Sequence, residues 1–255
     1  MNPIVRIQPR NADLGDGLLV RRTLPNRQQR MVGAWCFLDH AGPVQFEPGK
    51  GLHVGAHPHI GLQTFTWLIE GEVLHRDSLG NEQLIRPGQV NLMTAGHGIA
   101  HTEDSLHDGG RLHAAQLWIA LPPAHKDCAP AFDHYPKLPQ WREGGAELTL
   151  LAGRYGQREA PARIHSALVG IDIVCAGAST LTLALDPDFE YGLMPLAGDL
   201  DIDGELIHTD ELACLGKGRR EVHLALPAGG RVLFLGGEPF DEPAQIWWNF
   251  VGDRK

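Results

Sequence analysis

The chain has 255 residues, 43% of them hydrophobic, with 31 acidic against 22 basic side chains and a formal charge of −9. That length and apolar content support one large domain or two of ordinary size, each with a real core. The acidic balance, with no Lys/Arg cluster longer than Arg21-Arg22 and Arg219-Arg220, argues against sequence-independent binding to nucleic acid or an anionic membrane.

The first residues, MNPIVRIQPRNADLGDG, lack the basic-then-apolar pattern of a secretory leader. No apolar run approaches the ~20 residues of a membrane span, so the expectation is a soluble, cytoplasmic protein. Cys36, Cys128, Cys175 and Cys214 are scattered without a C-x-x-C. That spacing fits reduced thiols better than a disulfide framework or a structural zinc site.

The stretch HPHIGLQTFTWLIEGE, His57 to Glu72, sets two histidines one residue apart and runs into an apolar segment ending at Gly71. Side chains of a strand alternate between faces, so His57 and His59 share a face and can share one partner. Alone, so short a motif reads more readily as two surface histidines at the start of a strand. A turn signal follows at Gly80-Asn81, and then MTAGHGIAHTED, Met93 to Asp104, repeats the spacing with His101 and Glu103. The intervening hairpin returns the chain alongside its start, so that both pairs face one barrel interior.

His57, His59, His101 and Glu103 together offer three imidazole nitrogens and a carboxylate oxygen. A tetrahedral zinc site suits these donors, as does a six-coordinate first-row metal that keeps two adjacent positions for water, substrate or dioxygen. Fe(II), Mn, Co, Ni and Cu(II) all accept them. With both pairs counted, a metal site outweighs four polar residues at a solvated rim. His53, His97, His107 and His113, in the same half, read as ordinary, with His53 and His97 near the entrance of the site and His107 in a solvated loop.

Glycines and prolines punctuate short apolar runs along the whole chain, among them RLHAAQLWIAL, ELTLLAG, LVGIDIVCAG, TLTLAL and GRVLFLGG. Many short strands between turns predict an all-β sandwich or barrel, decorated at most by short helices. The Pro-rich stretch Pro122 to Pro139 reads as a linker. WLIEGEVLHRDSLGNEQLIRPGQVNLMTAG and LMPLAGDLDIDGELIHTDELACLGKG share a strand, Gly-acid, strand, turn, strand, Gly order, which suggests two tandem copies of one barrel. Asp203-Gly204 is the dipeptide of a two-residue hairpin. The expected division is a metal-binding barrel over residues 1–130 and a metal-free barrel with the C-terminal segment over residues 131–255.

Matching Gly71 with Gly198 sets Ala184 and Asp186 opposite His57 and His59. Matching Gly96 with Gly218 sets His223 and Ala225 opposite His101 and Glu103, and a lone His223 reads as structural. Trp118, Trp247 and Trp248, in QLWIAL and QIWWNF, read as core or inter-barrel packing rather than a stacking platform for an aromatic ligand.

FLDHAGP, HPHIGLQTFTWLIEGEVLHRDSLGN, IRPGQVNLMTAGHGIAHTE and QLWIALP followed by APAFDHY closely resemble, in order, segments of the pirin family of bicupins. They cover most of residues 37–135; the second half matches in outline, through its Gly-acid-Leu hairpin and GEPFDEP. The resemblance implies two cupin barrels of the double-stranded β-helix (jelly-roll) type. The first is expected to bind one metal, usually iron, at His57, His59, His101 and Glu103. Some pirins open the flavonol quercetin with dioxygen, and others are iron-dependent regulatory partners of transcription factors or metabolic enzymes. The first activity implies a metal-dependent quercetin 2,3-dioxygenase-like oxidoreductase in which Glu103 is the base that takes the proton of the flavonol 3-hydroxyl. The second implies a non-catalytic, redox-responsive iron protein with a protein partner. The chain departs from the family at Ile60 and Gln63, where a basic residue and a glutamate are common, and at Leu92, where an aromatic is. Gln63 reads either as a neutral hydrogen-bond partner of a ligand or as an ordinary strand residue.

Overall fold

A computed structural model describes residues 3–14, 18–242 and 244–252, so Pro243 of the GEPFDEP segment lies outside the described residues. Among the described residues every regular element is a strand and no helix occurs. None is therefore a helix long and apolar enough to cross a membrane. The all-β architecture with two cupin units follows the punctuation of the sequence, in which positive-φ glycines such as Gly71, Gly88 and Gly96 close one strand and start the next.

Residues 10–22, 36–137 and 240–255 form one compact unit, and residues 1–9, 23–35 and 138–239 form the other. This division is not a single cut after residue 130. Ala131–Tyr135, inside the Pro-rich stretch, pairs antiparallel with Val90–Thr94 and so adds a strand to the first unit. Val5–Ile7 pairs with Leu212–Leu215, which ties the N-terminal residues to the second unit. The C-terminal hairpin, Gln245–Trp247 and Phe250–Gly252, groups with the first.

In the first unit a large sheet runs in the order Ala131–Tyr135, Val90–Thr94, Leu62–Glu70, Arg111–Ala120, Trp35–Gln45, Leu19–Leu24, Arg10–Asp13. A smaller sheet runs His53–His59, Ile99–Ser105, Val73–Asp77, Glu82–Ile85. Leu68, Val73, Ile85, Leu112 and Phe46 fill part of the space enclosed. The chain between Asp77 and Glu82 turns at Gly80-Asn81, with the Asp77 carboxylate accepting from the Leu79 and Asn81 backbone N–H groups. This is the hairpin expected from the sequence.

The second unit repeats the plan with Ser179–Ala184, Glu221–Leu226, Leu200–Ile202 and Glu205–Ile207 as its smaller sheet. Ile202 pairs with Glu205, leaving Asp203-Gly204 as a two-residue turn with φ of 51° and 87°, as a type I′ hairpin requires. Its interior is apolar, lined by Leu181, Leu183, Leu200, Val222, Leu224 and Phe234 among others.

Gly61 fixes where the C-terminal hairpin lies. Ile60 bridges in parallel to Phe250, and the Ile60 carbonyl accepts from the Val251 N–H at 3.0 Å. At Gly61, with φ +71°, an added Cβ would stand 2.0 Å from the Val251 carbonyl oxygen. Gly61→Ala is therefore expected to destabilise the first unit by roughly 2–4 kcal/mol, from left-handed backbone strain and overpacking together. At Gly55 an added Cβ meets open space. Gly55→Ala should change the unfolding free energy from urea titration by less than about 0.5 kcal/mol, and equal losses for the two variants would show that the hairpin is not seated on Gly61.

Candidate metal centre

The smaller sheet of the first unit positions the candidate ligands. His57 stands directly opposite His101 in the antiparallel ladder, and His59 stands opposite Ile99. The register then slips, so that Glu103 lies opposite Val54 on one side and His75 on the other. The slip is a bulge in the strand that carries the histidines, a device that re-aims side chains beside functional sites.

The three histidines meet. Ring centroids lie 4.4 Å apart for His57 and His101, 4.9 Å for His57 and His59, and 5.1 Å for His59 and His101. One nitrogen from each falls within 4.8 Å of the other two. Glu103 falls in an overlapping group with His101 and a residue the sequence reading did not single out, His75. His101 belongs to both groups.

Hydrogen-bond partners decide where each imidazole carries its proton. His57 Nδ1 lies 2.8 Å from the Gly55 carbonyl, and His59 Nδ1 lies 3.2 Å from the Asn249 carbonyl. A carbonyl only accepts, so both Nδ1 atoms donate and both Nε2 atoms keep a lone pair. His75 Nε2 lies 3.1 Å from an Asp77 carboxylate oxygen, and His75 Nδ1 lies 3.4 Å from His101 Nδ1. His75 thus donates to Asp77 and accepts from His101, which leaves the His101 lone pair on Nε2. That Nε2 faces His59 Nε2 at 3.2 Å.

Two acceptor nitrogens at that separation need a positive charge between them. A shared proton is disfavoured. Burial, with His57 adding to it, holds His59 down to about 3 against the pull of the Asn249 carbonyl. Burial and then His57, His59 and His75 hold His101 down to about 2. Two nitrogens bound side by side to one divalent ion at about 2.0–2.1 Å stand roughly 3.0–3.4 Å apart, which matches. The donor set therefore fits a resident first-row metal.

The Glu103 residue keeps some surface, but its carboxylate lies inside, and burial pushes it up to about 7. The Thr66 hydroxyl, 3.3 Å from Glu103 Oε1, opposes that rise, and Asp104 adds to it.

Other expectations divide. Gln63 is fully buried and its amide donates to the Thr94 hydroxyl at 2.8 Å. His53, His97 and His107 are exposed, whereas His113 is buried against His40 with Nε2 atoms 2.8 Å apart. His223 lies on the outer face of its sheet beside Thr182. Trp118 is buried and stacks on Phe37, as expected. Trp247 and Trp248 are 72% and 62% exposed, which corrects the expectation that they are core or packing residues. They sit at the tip of the hairpin, where Trp248 has a positive φ and the backbone, not the indole, makes the contact with His59. His75 was legible in VLHRD, whose alternation puts it on one face with Asp77. No signal in the sequence pointed to Asn249, because a backbone carbonyl carries no residue code.

The comparisons with known proteins identify the family. The pirin family model matches residues 17–119, and the model of the pirin C-terminal cupin domain matches residues 170–255. A Pseudomonas aeruginosa protein named "putative quercetin 2,3-dioxygenase" is 63% identical over 98% of this chain and 79% of its own length. A crystal structure titled quercetin 2,3-dioxygenase from Acinetobacter baumannii superimposes with a TM-score of 0.95 at 51% identity, over 97% of this chain and 83% of that one. A bacterial pirin of Escherichia coli, in complex with nickel(II), has the same fold with a TM-score of 0.75 at 19% identity, over 93% of this chain and all of that one. With matches to both family models and close identity along nearly its whole length, the chain belongs to the pirin family.

Proposed function

We propose that the chain holds one divalent first-row metal through His57, His59, His101 and Glu103 and uses it to open the ring of a flavonol such as quercetin with dioxygen. Fe(II) is the metal of choice, with Ni, Co, Mn, Cu or Zn as substitutes in the same donor set. The observation that carries the reading is the convergence of three imidazoles whose hydrogen bonds leave Nε2 bare, two of them 3.2 Å apart. The substrate class is supported by the names of the P. aeruginosa and A. baumannii relatives.

Bound there, the metal supplies Lewis acidity toward a substrate oxygen and a route for electrons to dioxygen. The chain's own residues do the rest. His59 and His101, 0% and 3% exposed, hold the inner side of the site, while half-buried His57 marks the side nearer to solvent. Glu103 is the carboxylate of the donor set and takes the proton of the flavonol 3-hydroxyl. The Thr66 hydroxyl, within reach of both Glu103 and the Gln116 side chain, orients that carboxylate.

Anaerobic reconstitution with Fe(II), a metal assay and then quercetin absorbance with oxygen uptake test the proposal. One ion per chain is expected, with stoichiometric loss of quercetin and oxygen. His57→Ala, His59→Ala or His101→Ala should empty the site, whereas Glu103→Ala should cost turnover at least about 100-fold while retaining much of the metal. A fully loaded wild type that leaves quercetin untouched would overturn the dioxygenase and favour a metal-responsive binding protein in its place.

The same burial gives the metal-free protein a pH dependence. Burial holds His59 down to about 3 and His101 down to about 2 in the folded chain, against 6.5 for a free imidazole. Between those values the unfolded chain binds more protons than the folded one, so stability falls as pH falls through that window. Glu103, raised from 4.5 to about 7, works in the opposite sense between these two values, with one proton against two. The Tm of metal-free protein is thus expected to hold above about pH 7, decline below about 6.5 and decline more steeply below about 4.5. His101→Gln should flatten the decline, and an equal slope in that variant would place the effect elsewhere.

A further inference from the structure

Asp77 and His75 contribute no atom to the proposed ligand set, yet they lie directly behind one of its members. Asp77 stands opposite His101 in the ladder and His75 stands opposite Glu103, so His75 and His101 are diagonal neighbours on one face. His75 is buried, its ring stacked on Phe132 at 4.3 Å. Its two nitrogens make two contacts of opposite character, with the Asp77 carboxylate at 3.1 Å and with His101 Nδ1 at 3.4 Å. The Asp77 side chain is itself fixed, since Oδ1 accepts from the Leu79 and Asn81 backbone and Oδ2 lies 3.0 Å from the Asn81 amide nitrogen.

We propose that Asp77 and His75 act as a positioning pair, a two-link hydrogen-bond relay that fixes the tautomer of His101 so that its Nε2 stays free to bind the metal. This deepens the metal reading given above and rests on it. The physics is donor and acceptor complementarity. A carboxylate that only accepts forces a proton onto His75 Nε2, His75 Nδ1 is then an acceptor, and His101 must carry its proton on Nδ1. Metal-binding histidines need such a partner on the other nitrogen, and losing it typically costs 10- to 100-fold in affinity. His57 and His59 obtain theirs from backbone carbonyls in one step. For His101 the relay sets the tautomer through side chains, which makes it open to mutation.

Asp77→Asn gives the sharpest test. With the oxygen of the substituted amide retained by the two backbone N–H groups, its NH2 occupies the place beside His75 Nε2 and donates. His75 must then carry its proton on Nδ1 and present it to His101, which inverts the tautomer of His101 and protonates the Nε2 needed by the metal. The same logic makes an aspartate to asparagine change damaging wherever a carboxylate sets the tautomer of a working histidine. His75→Phe keeps the ring stacked on Phe132 but removes both polar contacts, leaving His101 without a fixed tautomer.

The experiment combines Zn(II) and Co(II) affinities by competition with a chelator, the visible spectrum of the Co(II) protein, and 15N shifts of the histidine side chains in metal-free and Zn(II)-loaded protein. Wild type is expected to show His75 protonated at Nε2 and His101 at Nδ1 without metal. Asp77→Asn should bind about 10- to 100-fold more weakly, with His101 Nε2 protonated in the metal-free state. His75→Phe should fall in the same direction with an altered Co(II) spectrum. In the double variant the Asp77 change should add nothing to the His75 change, because Asp77 acts through His75.

Additive losses, or single variants with wild-type affinity and spectrum, would overturn the proposal. A wild type that takes up one ion but, without metal, carries the His101 proton on Nε2 would overturn the relay and leave the metal reading standing. A wild type with the stated tautomers that takes up no metal would do the reverse. Thermal transitions of the metal-free variants identify any that simply fail to fold, and Asp77→Glu, which keeps an accepting carboxylate, should retain the His101 Nδ1 proton and near wild-type affinity, whereas a loss equal to that of Asp77→Asn would overturn the relay.

Discussion

Two imidazole nitrogens that both present lone pairs repel, and the first unit nevertheless holds those of His59 and His101 3.2 Å apart. Neither ring can relieve the contact by taking up a proton at ordinary pH, because burial holds both in the neutral form. Neither can exchange its tautomer without breaking a hydrogen bond on its far side. A frustration of this kind persists only when surrounding structure over-determines it. The ladder register, the bulge beside Gly55, the hairpin that brings up Asn249 and the Asp77–His75 pair all contribute to that determination. They come from segments far apart in sequence and share one consequence, a set of nitrogens aimed at one point.

The frustration also explains why the C-terminal residues group with the first unit although the second unit precedes them in the chain. A strand pair by itself can fix where His59 points but cannot supply an acceptor to its Nδ1. The returning hairpin does so with a main-chain carbonyl, held in place by the Ile60–Phe250 bridge and by the close approach that Gly61 permits. A backbone acceptor has no rotamer to choose, so the tautomer of His59 is set by the path of the chain.

The parts of this arrangement that obey local rules were legible in the sequence. Period-two spacing put His57 with His59 and His101 with Glu103, turn residues marked the hairpins, and missing histidines separated the second unit from the first. What could not be read were features that depend on the third dimension. His75 lay within the motif that carries the family resemblance, but its importance follows from standing diagonally across the ladder from His101, and pairing register is invisible without the partner strand. The Pro-rich stretch looked like a linker because prolines interrupt it, yet Ala131–Tyr135 between those prolines is long enough to pair with Val90–Thr94. Trp247 and Trp248 looked like core because large aromatics usually are. At the tip of a hairpin whose backbone makes the contact, they point outward instead.

The second unit shows what the same topology becomes when the donors are absent. Ser179–Ala184 and Glu221–Leu226 alternate strictly, with Leu181, Leu183, Val222 and Leu224 inward and Thr182 and His223 outward. Because side chains alternate with period two, the single-residue offset between His223 and its buried neighbours is enough to put the histidine in solvent rather than in the barrel. An apolar interior such as this cluster is stable without a bound ion, since its side chains are favoured by leaving water together. The first unit gives up part of that advantage by burying imidazoles and a carboxylate. A cation that satisfied those groups would favour the folded unit over the unfolded chain, and its occupancy would then be linked to the stability of that unit by mass action.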